Sequence, residues 1–507
     1  MPTEIPASNT PDVTSVWYDS QLPTWIFLQD LLDGQDALKG KTEVYLLKEP
    51  AELQEDYNLR LARSVFFEDY RDCVVNLTGM VFRKPATLND DVPELIRGVE
   101  EVRNPDTNEI TKQSKEGLAE NIDNAGTHIN VFLQRVFQDA FFGHTFIVVD
   151  MPPKAEDVQT AQDEMASGGR SYWCQRKAID TLNWRFAVVN GQTKLTQITF
   201  QECSKEADGL FGEIDVIRWR VYRLNELGNA EWQIWEAQTI DEEIKIVMTS
   251  SGEILTKQGK PLKRLPVAVH YGEYEGFLKS RPPLRTIADI NLAYYQKYSD
   301  LSNIEHHTCA VTLVLTGVDD QTGNKTIGGN CIIYLPTIGA TAEFLEVKGD
   351  SIPALERDLE MLQKRMVHKG LDFVQEDHRV PTTATEAMLS YTQRTSKLAM
   401  MTRSLIDCAE EALSITAEME GLEQGGSVSL GVDESSLSLT PDQIRSYSEM
   451  NERGQLSLPT LWNMMGRADL LPEDFDAKSE KKILDEAFLK QMEANTKQFD
   501  AGVESGP

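Results

Sequence analysis

The sequence predicts a mixed α+β chain in which a β-rich stretch lies between helical segments and two later helices flank a small β insert. Apolar residues recur every three or four positions in 57–80 and 127–142, a period typical of amphipathic helices. From about 184 to 272, apolar and polar residues alternate, as in strands with one buried face. The helical period returns on both sides of 310–349, which has a β-like pattern. A chain of 507 residues can hold about two to four domains.

The first predicted helix covers 57–80 and should end near Gly79, because glycine is common where a helix stops. Pro85 then prevents the helix from continuing. A second predicted helix at 127–142 leads into a buried strand at 146–150. The apolar side chains of the first helix share one face: Leu59, Ala62, Phe66, Tyr70, Cys73, Leu77 and Met80.

The β-rich stretch should form short antiparallel strands joined by tight turns. Period-two patterns run through 214–223, 231–236 and 243–248. We predict turns at 227–229 and 251–252, since glycine supplies the backbone freedom that tight turns need. The stretch is therefore predicted to be a β-rich subdomain.

A helix–insert–helix unit is predicted in the second half of the chain. One helix starts after prolines 282–283 and covers 284–304. The other starts at Ser351 with a heptad-like apolar seam and ends at Gly370. Because both helices flank the single insert 310–349, we expect them to pack as an antiparallel pair with the insert at the tip.

The rest of the chain is predicted to be mainly helical. A polar loop at 370–383 precedes a long helix at 384–420, which would span roughly 55 Å. Acidic residues crowd the end of that helix and oppose its dipole, so packing must stabilise it. In the segment 440–500, Pro441 marks a helix start and Gly454 a stop.

Composition and charge exclude several classes of protein. The formal net charge of −31 argues against a broad nucleic-acid-gripping face, which needs lysine and arginine to neutralise phosphates. An acidic lining would instead let nucleic acid slide past. No apolar run approaches the roughly 20 residues that span a bilayer, and the N-terminus has no signal pattern, so we expect a soluble, unsecreted protein. The six scattered cysteines are expected to be reduced thiols.

No motif points to catalysis, a cofactor or a metal. Gly323 and Gly328 have the spacing of a phosphate-binding loop, but the required lysine is missing, which favours a β-turn. His306 and His307 are adjacent rather than one helical turn apart, which favours a helix end over a metal site. No G-x-S-x-G nucleophile elbow is present, and nothing selects one carboxylate pair among the many acids.

Small groups of cations allow two interpretations. The favoured one is solvated charge or salt bridges between subunits; the alternative is local contact with a phosphate backbone. The alternative is most plausible between 369 and 379, because that segment joins two long helices. The groups are Arg83 with Lys84, Lys263 with Arg264, Lys364 with Arg365, and Lys369 with His378 and Arg379.

The order of several short motifs resembles the portal proteins of tailed double-stranded DNA bacteriophages. The resemblance covers roughly residues 20–490. Each motif is moderately specific, and their order around the helix–insert–helix unit is more so. The motifs are Tyr57-Asn-Leu-Arg60, Asn76-Leu-Thr-Gly-Met-Val-Phe-Arg-Lys-Pro85, Gly143-His-Thr-Phe-Ile-Val-Val-Asp150, Pro282-Pro-Leu-Arg-Thr-Ile-Ala-Asp-Ile-Asn291, Thr382-Thr-Ala-Thr-Glu386, Gly454-Gln-Leu-Ser-Leu-Pro-Thr460 and Leu470-Leu-Pro-Glu-Asp474.

The resemblance implies the portal fold, with an α/β wing, a two-helix stem that carries a small β clip, a long helix and an α-helical crown. The implied segments are a flexible N-terminus (1–20), the wing (21–280), a stem helix (281–309), the clip (310–350), a second stem helix (351–370), a tunnel loop (371–383), the long helix (384–424), the crown (425–495) and a flexible C-terminus (496–507).

The resemblance also implies a structural role in the virion rather than an enzyme. A portal ring, dodecameric in this family, occupies one capsid vertex, nucleates head assembly, and forms the channel for DNA packaging and ejection. Implied partners are further copies of the chain, double-stranded DNA passing through the channel without sequence specificity, the terminase large subunit, a head-completion or neck adaptor, the major capsid protein and a scaffolding protein. No membrane is implied, and assembly would occur in the host cytoplasm. The alternatives left open are a metal-dependent hydrolase or nuclease with a β-rich insertion, and a head–neck adaptor.

Three groups of candidate site residues follow from this resemblance. Lys369, His378 and Arg379 are candidates for the DNA channel. Candidates for docking of terminase or adaptor are Asp319, Asp320, Asn324 and Lys325. Arg83 and Lys84 are candidates for contacts between subunits.

Overall fold

The computed structural model describes most of the chain in two units, Met1–Leu430 and Gly431–Pro507. The described residues are 10–103, 110–114, 117–152, 169–189, 191–240, 243–309, 312–316, 341–345, 352–374, 397–430, 441–467, 471 and 475–484. Helices and antiparallel sheets both occur in the first unit, which confirms the mixed α+β class.

The first unit contains nine of the helices that we label. They are α1 (Val16–Asp33), α2 (Gln35–Gly40), α3 (Gln54–Arg63), α4 (Asp69–Val81), α5 (Glu94–Arg97), α6 (Ile129–Asp139), α7 (Arg285–Cys309), α8 (Ile352–Val374) and α9 (Lys397–Glu420).

The strands of the first unit pair only in the antiparallel sense among the described residues. They are β1 (Thr87–Leu88), β2 (Val99–Arg103), β3 (Ile110–Ser114), β4 (His144–Asp150), β5 (Tyr172–Lys177), β6 (Thr181–Val189), β7 (Gln192–Asp208), β8 (Gly212–Leu224), β9 (Ala230–Ile240), β10 (Glu243–Glu253), β11 (Val267–Tyr271), β12 (Glu273–Gly276), β13 (Lys279–Arg281), β14 (Thr312–Thr316), β15 (Thr341–Leu345) and β16 (Val428–Ser429).

The core lies around a three-stranded sheet of order β11-β4-β5. Strand β4 is almost entirely buried, as its unbroken apolar run predicts. Helix α9 packs against β11 and β4, and α6 packs against β4 and α9. The apolar side chains Ile129, Phe132, Val136 and Phe137 of α6 are buried, which confirms the second predicted helix.

The predicted antiparallel strands of the β-rich stretch are confirmed as a five-stranded meander of order β10-β9-β8-β7-β6. The predicted turn at 227–229 joins β8 to β9, and Gly228 has a φ of +75°. The predicted turn at 251–252 is wrong, because Gly252 lies inside β10 opposite Trp232. The lack of a side chain at Gly252 leaves room for that indole, whose Nε1 would lie 3.2 Å from an added Cβ.

The single helix predicted over 57–80 is wrong, because the chain leaves the helix between α3 and α4. Ser64 is extended, with φ −61° and ψ 142°. Its hydroxyl donates to the Leu61 carbonyl oxygen at 2.7 Å and is hydrogen-bonded to the Tyr295 hydroxyl at 3.0 Å. A serine side chain that satisfies backbone and distant groups offers the chain an alternative to continued helix.

Gly79 does not end α4, which continues to Val81. A Cβ added at Gly79 would meet no other atom within 4 Å, and its φ is not positive. Glycine inside a helix costs roughly 0.5–1 kcal/mol relative to alanine. We therefore expect Gly79→Ala to raise the free energy of unfolding by about that amount, measured by urea denaturation. A loss of stability would show that this helix face is covered within the chain.

The second unit, Gly431–Pro507, contains α10 (Pro441–Glu452) and α11 (Leu458–Arg467) in its described part. The predicted start at Pro441 is confirmed. Gly454, with φ +71°, follows the end of α10, as predicted for a glycine that stops a helix. Residues 477–484 form a further helix, and Trp462 makes an edge-to-face contact with Phe475.

Candidate functional site: a two-helix arm

Helices α7 and α8 form an antiparallel pair that we call the arm. Strands β14 and β15 pair antiparallel from Thr312–Leu345 to Thr316–Thr341, so the end of α7 and the start of α8 lie at the same end of the arm. The Lys297 Nζ atom lies 2.5 Å from Asp358 Oδ2 and joins the two helices along their length. This confirms the helix–insert–helix unit that the sequence predicts, within the described residues.

One apolar face of α8 packs toward α7, as the heptad-like pattern predicts. Leu359 and Met366 are buried, whereas Ile352, Leu355 and Leu362 are half-buried. The positions between them are exposed, among them Glu356, Gln363 and Val367. Most of the circumference of α8 is therefore open to other molecules.

Gly370 does not end α8, so that prediction is wrong. The helix continues to Val374, and the first four residues of the predicted loop 371–383 are helical. The space beside Gly370 would accommodate a Cβ at ordinary van der Waals distance from α4. The Cβ position of Gly370 lies 4.0 Å from Cys73 Sγ. The remaining residues of the predicted loop lie outside the described residues.

We call the end of the arm opposite to the β14–β15 pair the root. Buried polar side chains hold the root to the N-terminal helices. The Asn291 side chain is completely buried; its Oδ1 accepts from the Tyr70 backbone N–H at 3.2 Å, and its Nδ2 donates to the Phe67 carbonyl oxygen at 2.9 Å. One helical turn further along α7, the Tyr295 hydroxyl is hydrogen-bonded to the Ser64 hydroxyl. These contacts fix the position of α7 at the break between α3 and α4.

A buried arginine, Arg60, adds a charged contact at the root. Its guanidinium donates two hydrogen bonds to the Glu52 carboxylate, each 2.8 Å long, and one of 2.6 Å to the Leu47 carbonyl oxygen. A further nitrogen lies 3.7 Å from Asp300 Oδ1 of α7. The hydrogen bond from Arg60 is the main cause of a lowered pKa at Glu52, whereas burial raises the pKa of Asp300.

Charge is distributed unevenly along α8. Three acids and Arg357 lie in its first half, whereas its second half up to Lys369 carries cations. Lys364 is paired with an acid of its own helix, since its Nζ atom lies 3.3 Å from Glu360 Oε2. The exposed cations and the adjacent histidine are Lys364, Arg365, His368 and Lys369.

The long helix predicted at 384–420 is found as α9, and 384–396 lie outside the described residues. Its predicted apolar stripe is buried, including Leu405, Cys408 and Ile415. The buried Glu420 carboxylate accepts hydrogen bonds from the Ser171 backbone and hydroxyl at 2.7 and 2.8 Å, and its other oxygen lies 3.0 Å from Lys257 Nζ. Packing and partnered acids stabilise the end of α9, because Glu418 also pairs with Arg264 at 2.9 Å.

The predicted site residues are distributed as follows. Lys369 is exposed in the last turns of α8. Arg83 and Lys84 are exposed just after α4. The remaining candidates lie outside the described residues: His378, Arg379, Asp319, Asp320, Asn324 and Lys325.

Sequence reasoning did not assign a role to Arg60 or Asn291. The sequence does contain a pattern that could have identified Asn291. It is a polar residue on the apolar stripe of a helix, and a buried amide in such a position needs specific hydrogen-bond partners. Arg60 lies in the motif Tyr57-Asn-Leu-Arg60, a few residues after the acids Glu55 and Asp56.

An open cleft of about 470 Å³ lies beside β5 and α6. Its Asp139 carboxylate accepts from Gln175 at 2.5 Å and lies 3.6 Å from Lys177 Nζ. Burial raises the pKa of Asp139 to about 6. Asp123 is 3.4 Å from Arg135 in the same cleft. Since each acid has a polar or cationic partner, the cleft is an ion-paired surface feature.

Among the described ranges, no three His, Cys, Asp or Glu side chains are grouped closely enough to hold a metal ion. None of the described helices has both the length and the apolar character needed to cross a membrane.

Comparisons with known proteins add two similarities. A protein family described as a domain of unknown function (DUF4055) matches residues 283–419, which include the arm and nearly all of α9. No curated protein matches the chain. A chain in the solved structure "Neck of empty GTA particle computed with C6 symmetry" is weakly similar, with 11% identity and a TM-score of 0.34. The match covers 80% of this chain and 91% of that chain.

Proposed function

We propose that this protein is a portal protein of the tailed-phage type, a ring at one capsid vertex that nucleates head assembly and conducts DNA. The observation that carries the proposal is the arm, in which two long helices run antiparallel and carry an antiparallel β pair at one end. The order of the sequence motifs around the arm supports the same function. A ring of such chains can align its arms around a central channel.

The charge distribution supports a channel in which DNA slides. The chain as a whole is strongly acidic, with a net charge of −31. An acidic wall repels phosphates and prevents tight binding. The cationic last turns of α8, including Lys369, would supply a few transient phosphate contacts, together with His378 and Arg379. These contacts would guide DNA without sequence specificity.

The β insert at the end of the arm is the proposed docking surface for the terminase large subunit and later for the neck adaptor. It lies at the end of the arm opposite to the root, which is held by Asn291 and Arg60. The candidates Asp319, Asp320, Asn324 and Lys325 belong to this insert. The capsid and scaffolding proteins would contact the outer part of the first unit.

We further propose that the protein has no catalytic activity and no cofactor, since its task is steric and electrostatic. A screen for hydrolase and nuclease activity with Mg²⁺, Mn²⁺ and Zn²⁺ tests this part. Turnover that disappears after mutation of one carboxylate cluster would contradict it.

Electron microscopy of the purified full chain tests the ring directly. We expect rings with a central hole, about twelve-fold symmetry, and a mass near that of twelve 57.1 kDa chains. Native mass spectrometry across a dilution series measures the subunit number independently. A chain that stays monomeric at concentrations where capsids assemble would overturn the proposal.

A further inference from the structure

Strands β7 and β8 extend beyond the rest of their sheet as a two-stranded ribbon. Strand β6 pairs with β7 only as far as Phe200, and β9 pairs with β8 only from Arg218 onward. Residues 202–208 and 212–217 are therefore paired only with each other among the described strands. A two-stranded ribbon is marginally stable without a covering layer, so its end opens at a low cost in free energy.

The turn of the ribbon begins with an aspartate followed by a glycine. Asp208 and Gly212 are the last pair of the ladder, and Gly209, with φ +71°, starts the turn between them. Asp208 and Gly209 are exposed, and a Cβ added at Gly209 would meet no other atom within 4 Å. In the described part of the chain, neither the Asp208 carboxylate nor the Gly209 N–H forms a hydrogen bond. The two groups are therefore free to react with each other.

An aspartate and the glycine after it can close into a cyclic imide. The Gly209 nitrogen attacks Cγ of the protonated Asp208 carboxyl, a C–N bond forms, and the side-chain hydroxyl leaves with the amide proton as one water molecule. Water then opens the five-membered ring at either carbonyl. Opening at Cγ restores aspartate, whereas opening at the main-chain carbonyl leaves isoaspartate, in which the chain runs through Cβ and Cγ. Glycine favours the closure because it has no side chain to hinder the attack and its backbone rotates freely.

The other Asp-Gly pair of the sequence, Asp33-Gly34, lies in different surroundings. The Gly34 N–H donates to the Asp30 carbonyl oxygen at 3.1 Å, and Asp33 Oδ1 accepts from Gln29 at 2.8 Å. Gly34 is buried, and a Cβ added there would lie 2.5 Å from Glu68 Oε1. Ring closure at this pair would have to break these contacts at the end of α1. The chain thus contains its own control.

We propose that Asp208-Gly209 converts spontaneously to isoaspartate in the folded chain, whereas the surroundings of Asp33-Gly34 protect that pair. The conversion adds one backbone atom to the turn. The turn is tight, because a Cβ added at Gly212 would lie 2.5 Å from the Asp208 carbonyl oxygen. The extra atom therefore shifts the pairing of β7 with β8 and loosens the ribbon. The reaction needs only water and is independent of the proposed portal function.

Prolonged incubation of the purified full chain in neutral buffer tests the site, with peptide mass spectrometry that distinguishes isoaspartate from aspartate. We expect isoaspartate to form at Asp208 about tenfold faster than at Asp33, or more, which corresponds to about 1.4 kcal/mol in activation free energy. In concentrated urea the two rates should become similar, because the protecting contacts at Asp33 are lost. Equal rates in the folded chain would overturn the proposal. The sequence Asn190-Gly191, which can form the same ring, falls in a different tryptic peptide and is measured separately.

Two conservative variants assign the reaction to one carboxyl. Asp208→Glu keeps the charge but would require a six-membered ring, so isoaspartate should disappear from the tryptic peptide 206–218 while circular dichroism stays unchanged. Asp215→Glu changes another exposed acid of the same peptide and should leave the rate as it was. Isoaspartate that persists in the 206–218 peptide of Asp208→Glu would show that Asp208 is not the reacting residue.

Hydrogen exchange measures the consequence for the ribbon. After incubation, amide exchange in 202–208 and 212–217 should be faster in the unmodified sequence than in Asp208→Glu treated in the same way. Unchanged exchange in a chain that has formed isoaspartate would overturn the loosening of the ribbon.

Discussion

Replacing Arg60 by methionine is expected to lower the free energy of unfolding by roughly 3 kcal/mol, because a buried carboxylate loses its charged partner. Arg60 is 5% exposed in its side chain and Glu52 is 11% exposed, so water cannot fully replace the lost hydrogen bonds. The Leu47 carbonyl oxygen also loses its donor. Urea denaturation followed by tryptophan fluorescence measures the loss.

A matched control separates this effect from the removal of any arginine. Arg71 forms an exposed pair with Glu68 three residues away, and such pairs contribute less than about 1 kcal/mol. Arg71→Met should therefore change little. Adding Glu52→Gln to Arg60→Met should recover part of the stability, since the uncompensated charge disappears. A loss below about 1 kcal/mol for Arg60→Met would show that the root of the arm does not depend on this pair.

Lowering the pH from 7 to 5 is expected to destabilise the fold through two buried histidines, His144 and His270. Burial lowers the pKa of each ring to about 3, compared with 6.5 for an exposed ring. Both rings are held neutral in the core, where each Nδ1 contacts a serine hydroxyl. Their stabilising contribution is complete above pH 6.5 and is lost as the pH falls toward 3. The loss at pH 5 is about 2 kcal/mol per histidine.

Asp139 acts in the opposite direction over part of this range. Burial raises its pKa to about 6, so the folded chain takes up a proton there before the unfolded chain does. The histidine effect is therefore measured as a difference between variants. His270→Asn should reduce the loss between pH 7 and 5 by about 2 kcal/mol. His128→Asn, which removes an exposed histidine at the start of α6 and keeps both buried rings, should leave the loss unchanged. Equal pH profiles for all three chains would contradict the assignment.

Periodicity was sufficient to predict most regular elements. The period-two stretch forms the β6–β10 meander, and the helical stripes of α6 and α9 are buried as predicted within the described residues. These predictions succeed because the pattern of apolar residues depends only on which face an element buries. On α7 the predicted Tyr294 and Tyr298 are half-buried, whereas Tyr295 is buried. The arm could also be predicted, because two helices that flank a single β insert are expected to pack as an antiparallel pair with the insert at the tip.

Glycine was a poor guide to where helices and strands end. Gly79 and Gly370 lie inside α4 and α8, and Gly252 lies inside β10, whereas Gly454 follows α10 as predicted. A glycine stops a helix only where the backbone turns to positive φ, and the packing around the residue decides that. The sequence alone therefore does not show which glycines have a positive φ.

The amino-acid sequence by itself determined the class of fold, the order of most of its elements, and the net charge of −31. Tertiary structure alone decided where α3 ends, which polar residues hold the arm, and which apolar residues remain uncovered. Ser64 and Tyr295 are separated by 231 positions in the chain, yet their hydroxyls are hydrogen-bonded at the break after α3. A local pattern cannot contain such information, because burial of a polar group depends on partners that only the folded chain brings together.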